Sequence, residues 1–347
     1  MKTLYGIGNP LVDSIHYVGD GAISQLGFIS GSMNLIAADQ QDAIRGLAEP
    51  ALRTAGGSCA NTLRGFAWLA HITGRDSGRA AKPRVRAVYA GAVGDDDDGD
   101  SMAAILEEQG VVSRLVRKNE PTGTSVILVE PDGERTMFTQ LGACREFGLT
   151  DIDEKELVAA DMLHITGYVW DSPVEQEAAL RALQLASEAG LQISLDVADP
   201  FVADRYRNQL LDVISRYRCL VFCNEDEIRS LLQMPDVPLS EVFTAANAYS
   251  DFWLVKTGAE GCHVLQKGAS IHVPTTAVPV CDTTGAGDAF AAGFLFAQAI
   301  GMTAVDSARL ANMLAGCIVG MEGTVYSDNP STMMDRLKAA AAGQFAE

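Results

Sequence analysis

Two glycines and an acid open a long apolar run in the segment Cys281-Asp282-Thr283-Thr284-Gly285-Ala286-Gly287-Asp288-Ala289-Phe290. Glycine lets a backbone approach a phosphate closely, the first N–H groups of a helix point outward unpaired, and the macrodipole favours negative charge there. Such a helix start binds an anion without a cationic side chain. Asp288 falls in the first turn, near the anion and able to take a proton from an attacking hydroxyl, a role worth about 10² to 10⁴ in rate. An isolated Gly-x-Gly fits a plain turn equally well, and a lone Asp there fits a helix cap. The ten-residue string carries more weight than either fragment.

Asn224 and Glu227 follow an apolar strand, Leu220–Phe222. At the carboxyl end of a strand, an amide and a carboxylate can hold Mg2+ through its waters. The same three-residue spacing is that of a capping box, and both readings can hold at once. Asp13, in Gly8-Asn9-Pro10-Leu11-Val12-Asp13, is placed either to accept hydrogen bonds from neighbouring hydroxyls or to cap a turn.

These residues need a scaffold that brings them together. Thr3–Ile7 reads as a strand ending in Gly8-Asn9-Pro10, and ligands of α/β folds bind at such carboxyl ends. Gly56-Gly57-Ser58 precedes a helical pattern over Ala60–Leu69, and the basic stretch Thr73–Arg86 reads as a surface loop. Ala87–Ala90 leads through the acidic turn Gly94–Gly99 to a helix over Met102–Gln109. Val111–Val116, Thr124–Val129 and Arg135–Thr139 are β-rich and separated by Pro-Thr-Gly and Pro-Asp-Gly-Glu turns, which suggests a separate small sheet. Beyond Met162, strands at Met162–Ile165, Gln192–Asp196, Cys219–Phe222 and Trp253–Lys256 alternate with helices at 174–189, 204–215, 225–232 and 239–248. That alternation implies a parallel sheet with helices on both faces. After Thr284 the pattern is nearly all helical, ending in an Ala-rich surface helix, Met333–Ala342.

Composition narrows the partners. With 347 residues, 48% hydrophobic and 20% charged, the chain suits one large packed α/β core with an appendage. Its 26 basic and 45 acidic residues give a formal charge of −19, which repels nucleic acid and leaves a small molecule as the expected partner. The 7 cysteines show neither zinc nor CxxC spacing and read as reduced, mostly buried thiols. The first apolar run is interrupted by Asn9, Pro10 and Asp13, and the longest, Ala289–Met302, falls short of the about 20 residues that span a bilayer. No membrane association and a soluble, cytoplasmic location are the expectations.

The string Asp282–Phe294, DTTGAGDAFAAGF, resembles the C-terminal signature of the ribokinase-like, or PfkB, family of carbohydrate and nucleoside kinases. Other family elements follow in order over nearly the whole chain. Gly56–Asn61 resembles GGxxxN, Gly91–Gly99 resembles GxxGxDxxG, and Asn224–Glu227 resembles NxxE. The resemblance implies a doubly wound, mostly parallel sheet with helices on both faces and a small β-sheet lid. The large domain would then take residues 1–13, 36–110 and 140–347, and the lid 14–35 and 111–139. It implies an ATP-dependent kinase in which Asp288 is the catalytic base and the N–H groups of Gly285, Ala286 and Gly287 form the anion hole. Asp13, Asn9, Gly56, Gly57 and Asn61 would contact the acceptor; Asn224, Thr257, Gly258, Gly261 and Asn312 would contact the nucleotide; Glu227 and Asn224 would serve Mg2+. Each has a plainer alternative: a hairpin turn for Thr257–Gly261, a packing residue for Asn312. The resemblance leaves room for a monovalent cation near Asp282 and Thr284 and for a homodimer through the lid. Ile127, Met137 and Phe138 would then serve that contact or pack on the core.

Gly8–Asp13 and Pro121–Thr124 resemble adenosine kinases, as do Gly142–Cys144 and Gly167–Asp171, whereas Gly133–Thr136 is closer to sugar kinases. Tyr168, Trp170 and Phe201 could stack on a purine or pack in the core. A catalytically silent binding protein on the same fold is the rival from another class. A dinucleotide-dependent oxidoreductase is excluded because GIGNP lacks the GxGxxG fingerprint.

Overall fold

The computed structural model describes residues 1–75, 85–131, 133–276, 278–281, 283–320 and 326. Its strands are β1 (Lys2–Ile7), β2 (Leu11–Tyr17), β3 (Met33–Leu35), β4 (Leu52–Gly56), β5 (Val85–Gly94), β6 (Val111–Lys118), β7 (Gly123–Val129), β8 (Arg135–Gln140), β9 (Met162–Thr166), β10 (Gln192–Asp196), β11 (Leu220–Asn224), β12 (Phe252–Lys256), β13 (Cys262–Gln266) and β14 (Ala269–Val273). They form a 9-stranded sheet in the order β14-β13-β12-β11-β10-β9-β1-β5-β6 and a 5-stranded sheet in the order β3-β8-β7-β2-β4. In the large sheet only β13 and β14 run antiparallel to their neighbours.

Strand periodicity sends neighbouring residues to opposite faces and so divides the core in two. Leu4, Phe222 and Leu254 pack with the helices Ser58–Arg75, Ala286–Ala299 and Ala304–Val319. Tyr5, Val221 and Trp253 pack with Pro173–Glu188, Arg207–Tyr217 and Glu225–Leu232 on the other side. The helix Ala286–Ala299 is apolar all round, with every residue from Ala289 to Ala297 buried, as befits an element enclosed by sheet and helices. Its alanines and glycine allow close packing: a Cβ on Gly293 would stand 2.9 Å from Ala311 Cα.

Two assignments differ from the sequence expectation. Val111–Lys118 pairs in parallel with β5 and is the edge of the large sheet, because the helix Asp97–Glu108 carries the chain back as an ordinary β-α-β crossover. Conversely, Leu52–Gly56 joins the small sheet by pairing with β2. Asp13 therefore sits inside a strand. Ile127 and Phe138 are buried within the small sheet's own packing, Phe138 edge-on to Phe28 at a ring distance of 4.9 Å. Residues 76–84 of the expected loop, Asp132 of the expected turn, Asp282 and the expected helix Met333–Ala342 lie outside the described residues.

The turn from β4 into the helix Ser58–Arg75 is tied to glycine. Gly57 has φ +88°, and a Cβ there would stand 2.1 Å from the Asn9 carbonyl oxygen. Gly57→Ala is expected to destabilise the protein by about 2 kcal/mol or more through left-handed strain plus that clash. Urea unfolding checks it; an unchanged midpoint would contradict it.

Candidate active site

Asp288 lies in the first turn of the helix Ala286–Ala299, whose N-cap Gly285 takes φ 71°. A second helix start grips its carboxylate. Ser58 Oγ donates to Asp288 Oδ1 at 2.6 Å and Asn61 Nδ2 donates to Oδ2 at 3.0 Å. Three residues apart, Ser58 and Asn61 share one helix face. Three further on, buried Arg64 donates to Asn61 Oδ1 at 2.9 Å and to the Ala55 carbonyl at 2.8 Å, which fixes which end of the amide meets Asp288. Burial pushes the Asp288 carboxyl up to about 6, and the hydrogen bonds from Ser58 and Asn61 oppose it. Its hydrogen-bonding side chains are neutral, so the carboxylate keeps the capacity to take a proton.

Asp288 opens on a cavity of about 690 Å³, within the range of ligand sites. Asn9, Asp13, Gly57 and Asn61 line it beside Asp288, as do Gly285, Ala286 and Gly287. Asp13 is pushed up to about 7, first by burial and then by Asp288, against the lowering effect of Arg64. Gly56 does not line the cavity; a Cβ there would overlap the Asp13 carboxylate at 2.0 Å, so its smallness makes room for Asp13. One terminal atom of the buried Asn9 amide lies 2.8 Å from both carboxylate oxygens of fully buried Glu175. The small sheet adds an apolar wall of Leu11, Met33, Ile127 and Met137.

Elsewhere on the same cavity, Asn224 and Glu227 form the capping box that their spacing allows. Glu227 N–H donates to Asn224 Oδ1 at 2.7 Å, and Asn224 N–H donates to Glu227 Oε2 at 2.8 Å. Both also line the cavity. Glu227 is pushed up to about 7 by burial, an effect that Lys256 opposes and Asp196 adds to. Gly258 and Gly261 line the cavity as well, while Thr257 does not and its N–H closes the turn onto the Gly261 carbonyl at 2.8 Å. Asn312 lines it too, with its Nδ2 donating to the Val273 and Pro274 carbonyls at 3.0 and 3.3 Å, the packing role the sequence left open.

Several groups at this site went unassigned in the sequence. Ser58 stands inside Gly56–Asn61, where the resemblance points to its flanking residues instead. Asp196 and Lys256 are each the last residue of an apolar strand, a position that could have flagged them. Arg135 on β8 donates to Thr284 Oγ1, tying the small sheet to the anion loop. Within Gly91–Gly99, Asp96 caps its helix through Gly99 N–H at 2.8 Å and accepts from Thr122 N–H at 2.8 Å, while Asp98 pairs with Arg53 at 2.9 Å; neither acid lines the cavity.

A family model described as pfkB family carbohydrate kinase matches residues 31–332. The chain is 27% identical to adenosine kinase of Schizosaccharomyces pombe over 92% of this chain and 95% of that one. It is 30% identical to ATP-dependent ribose-1-phosphate kinase of Halopiger xanaduensis over 78% and 82%. Among solved structures, adenosine kinase from Sinorhizobium meliloti matches with TM-score 0.87 and 30% identity, covering 96% of this chain and 99% of that one. A probable sugar kinase from Rhizobium etli CFN 42 matches with TM-score 0.88 and 31% identity, covering 98% of each.

A raised carboxyl has a definite sign in stability. Between the ordinary value of 3.8 and about 7, native Asp13 holds a proton that the unfolded chain has released, so its contribution falls as pH rises and the full cost is present above about 7. Asp13→Asn removes that cost. The variant is expected to exceed the wild type in stability on the order of 2 kcal/mol at pH 8 and to match it near pH 4. Unfolding at the two pH values checks this; an equal or lower stability at pH 8 would contradict it.

Proposed function

This chain belongs to the pfkB family of carbohydrate kinases, and from that premise we propose that its acceptor is a purine nucleoside of the adenosine type. The protein is a kinase that moves a phosphoryl group from ATP to a hydroxyl of a small sugar or nucleoside. What favours the nucleoside is the mixed lining: polar Asn9, Asp13 and Asn61 with Asp288, and an apolar stretch of the small sheet, Leu11, Met33, Ile127 and Met137, that adjoins Asp13. A ribose edge suits the polar side and a flat base suits the apolar one. A small sugar held at the polar residues would leave Met33 and Ile127 to water and forgo their burial, worth about 25 cal/mol per Å².

In the mechanism we infer, Asp13 and Asn9 hold two neighbouring hydroxyls while a third points at Asp288. Asp288 accepts the proton as the alcohol oxygen bonds to the γ-phosphorus, and the bond from that phosphorus to the β-γ bridging oxygen breaks to release ADP. The N–H groups of Gly285 and Gly287 carry the charge that spreads over the transferring oxygens, joined by that of Ala286 once it leaves the Thr283 carbonyl to which it donates at 3.2 Å. The capping box engages one oxygen each of Asn224 and Glu227, leaving Glu227 Oε1 for a water of a divalent ion. No group of three or more His, Cys, Asp or Glu suited to a metal occurs among the described residues. Such a sparse oxygen donor set fits Mg2+ held mainly by phosphates and water. When bound, Mg2+ offsets charge on the β- and γ-phosphate oxygens. Gly258, Gly261 and Asn312 border the nucleotide side, with Thr257 supporting the turn, and Thr284 would neighbour a monovalent cation if one is used.

The small sheet, fastened by Arg135, acts in this reading as a lid that keeps water from competing with the alcohol. A homodimer through it would use Tyr17, Ile29 and Leu35, which are exposed. The charge of −19 supports small-molecule over nucleic-acid partners, and no helix among the described residues is long and apolar enough to cross a membrane, in keeping with a cytoplasmic place of action.

Magnesium-ATP consumption should be measured with adenosine, other nucleosides, ribose and fructose. Adenosine is expected to give the highest kcat/KM, rising with pH through about 6 as Asp288 ionises. Asp288→Asn should lower kcat by about 10² to 10⁴ with ATP still bound. Preference for a simple sugar would reject the acceptor assignment, and turnover by Asp288→Asn at the wild-type rate would reject the base.

A further inference from the structure

We propose that the Lys256 ammonium contacts the transferring phosphoryl group directly, leaving Asp196 to do so, and thus completes the anion hole with a mobile cation. The inference rests on the kinase reading above and adds a catalytic residue to it.

Lys256 ends β12, where its Cα pairs with that of Asn224 on β11, so it stands at the carboxyl edge that faces the cavity. Its side chain is 16% exposed. An ammonium has three donors, yet its hydrogen-bond acceptors among the described residues are the two oxygens of Asp196, at 3.5 and 3.4 Å. A charge-assisted bond is normally about 2.7–2.9 Å. The pairing is loose, and it leaves donor capacity over.

The position of Nζ is informative in its own right. A Cβ on Gly287 would come within 3.2 Å of it, so the ammonium lies against the backbone of the anion loop itself. Any residue larger than glycine at 287 would press on it. Asp196, Glu227 and Asp288 all act on Lys256 and hold it in the charged form despite burial. Among the described residues lining the cavity the cationic side chains are Arg135, which donates to Thr284, and Lys256, which lies against Gly287.

The reaction supplies what the lysine lacks. As the acceptor oxygen bonds to the γ-phosphorus, its proton passes to Asp288 and the electron pair of the breaking bond leaves on ADP. Negative charge on the phosphoryl and bridging oxygens grows beside Gly287. A point charge on a flexible stem can turn from Asp196 to those oxygens, whereas Asp196 stays held by the Ala198 N–H at 3.1 Å. The benefit is confined to the reacting complex, so it should appear in kcat rather than in acceptor binding.

Lys256→Met is expected to lower kcat by about 10² to 10³, with the acceptor KM within about threefold of wild type. Lys256→Arg should regain at least about tenfold of the loss by restoring the charge. Because Lys256→Met leaves Asp196 buried without its cation and could unfold the chain, the uncharged pair Lys256→Met/Asp196→Asn is measured alongside it. That pair should stay as slow as Lys256→Met. In parallel, the tighter binding of ADP with aluminium fluoride over ADP alone, measured by calorimetry, should disappear in the paired variant. Recovery of kcat in the paired variant would show that the lysine only neutralises Asp196 and would overturn the proposal. So would a kcat within about threefold of wild type, or a loss confined to ATP binding. Failure here with Asp288→Asn inactive removes only the lysine's role; no turnover by the wild type on any acceptor removes the kinase reading itself.

Discussion

The grip of one helix start on another holds the site together. Ser58 and Asn61 open the helix Ser58–Arg75, Asp288 opens the helix Ala286–Ala299, and two hydrogen bonds join them across more than two hundred residues of sequence. A buried carboxylate needs partners. Were those partners cationic, the proton affinity of Asp288 would fall and its use as a base would suffer. Neutral donors satisfy the oxygens while burial keeps the pKa high, which suits a group that must give up and regain a proton near neutrality. Arg64 supplies orientation from behind, contacting Asn61 rather than Asp288, so positive charge fixes the geometry without direct pairing.

That arrangement constrains the surrounding chain. The two helices pack against the same face of the large sheet, so their starts converge only if the sheet holds them at the correct depth. The parallel strands β9 to β12 bring their carboxyl ends to one edge, where Asp196, Asn224 and Lys256 border the cavity. β1 ends at the same edge and hands the chain through Asn9 to Asp13 in the small sheet. Asp13 is thus placed by β2, a strand of the small sheet that follows directly on β1. Gly56 and Gly57 exist at their positions because that strand and the turn after β4 approach within a distance no side chain tolerates.

Much of this could be read from the residues. The alternation after Met162 gave the parallel sheet, and the small residues before Asp288 marked the start of the helix Ala286–Ala299. What escaped was partnership at long range. Asn61 was legible as a polar residue at a helix start, but its bond to Asp288 depends on how two distant helices pack, and hydrophobic periodicity does not encode that. Val111–Lys118 misled because its apolar and polar residues come in pairs, a half-exposed edge pattern that carries no mark of which sheet it joins. Lys256 looked like the end of an apolar strand until the fold set it against Gly287. Asn224 and Glu227 were legible as a capping box; an ion ligand calls for the same residue types, and that role belongs to the proposal.

The central claim is that Asp288, clamped by neutral donors, takes the proton of an alcohol lying between it and the anion loop. A crystal structure with adenosine and a non-hydrolysable ATP analogue tests it most directly. The account predicts an acceptor hydroxyl within about 3 Å of an Asp288 oxygen, with the γ-phosphate on the Gly285–Gly287 N–H groups and the Ser58 and Asn61 bonds intact. A γ-phosphate bound away from that loop, or an acceptor whose hydroxyls all point away from Asp288, would contradict it.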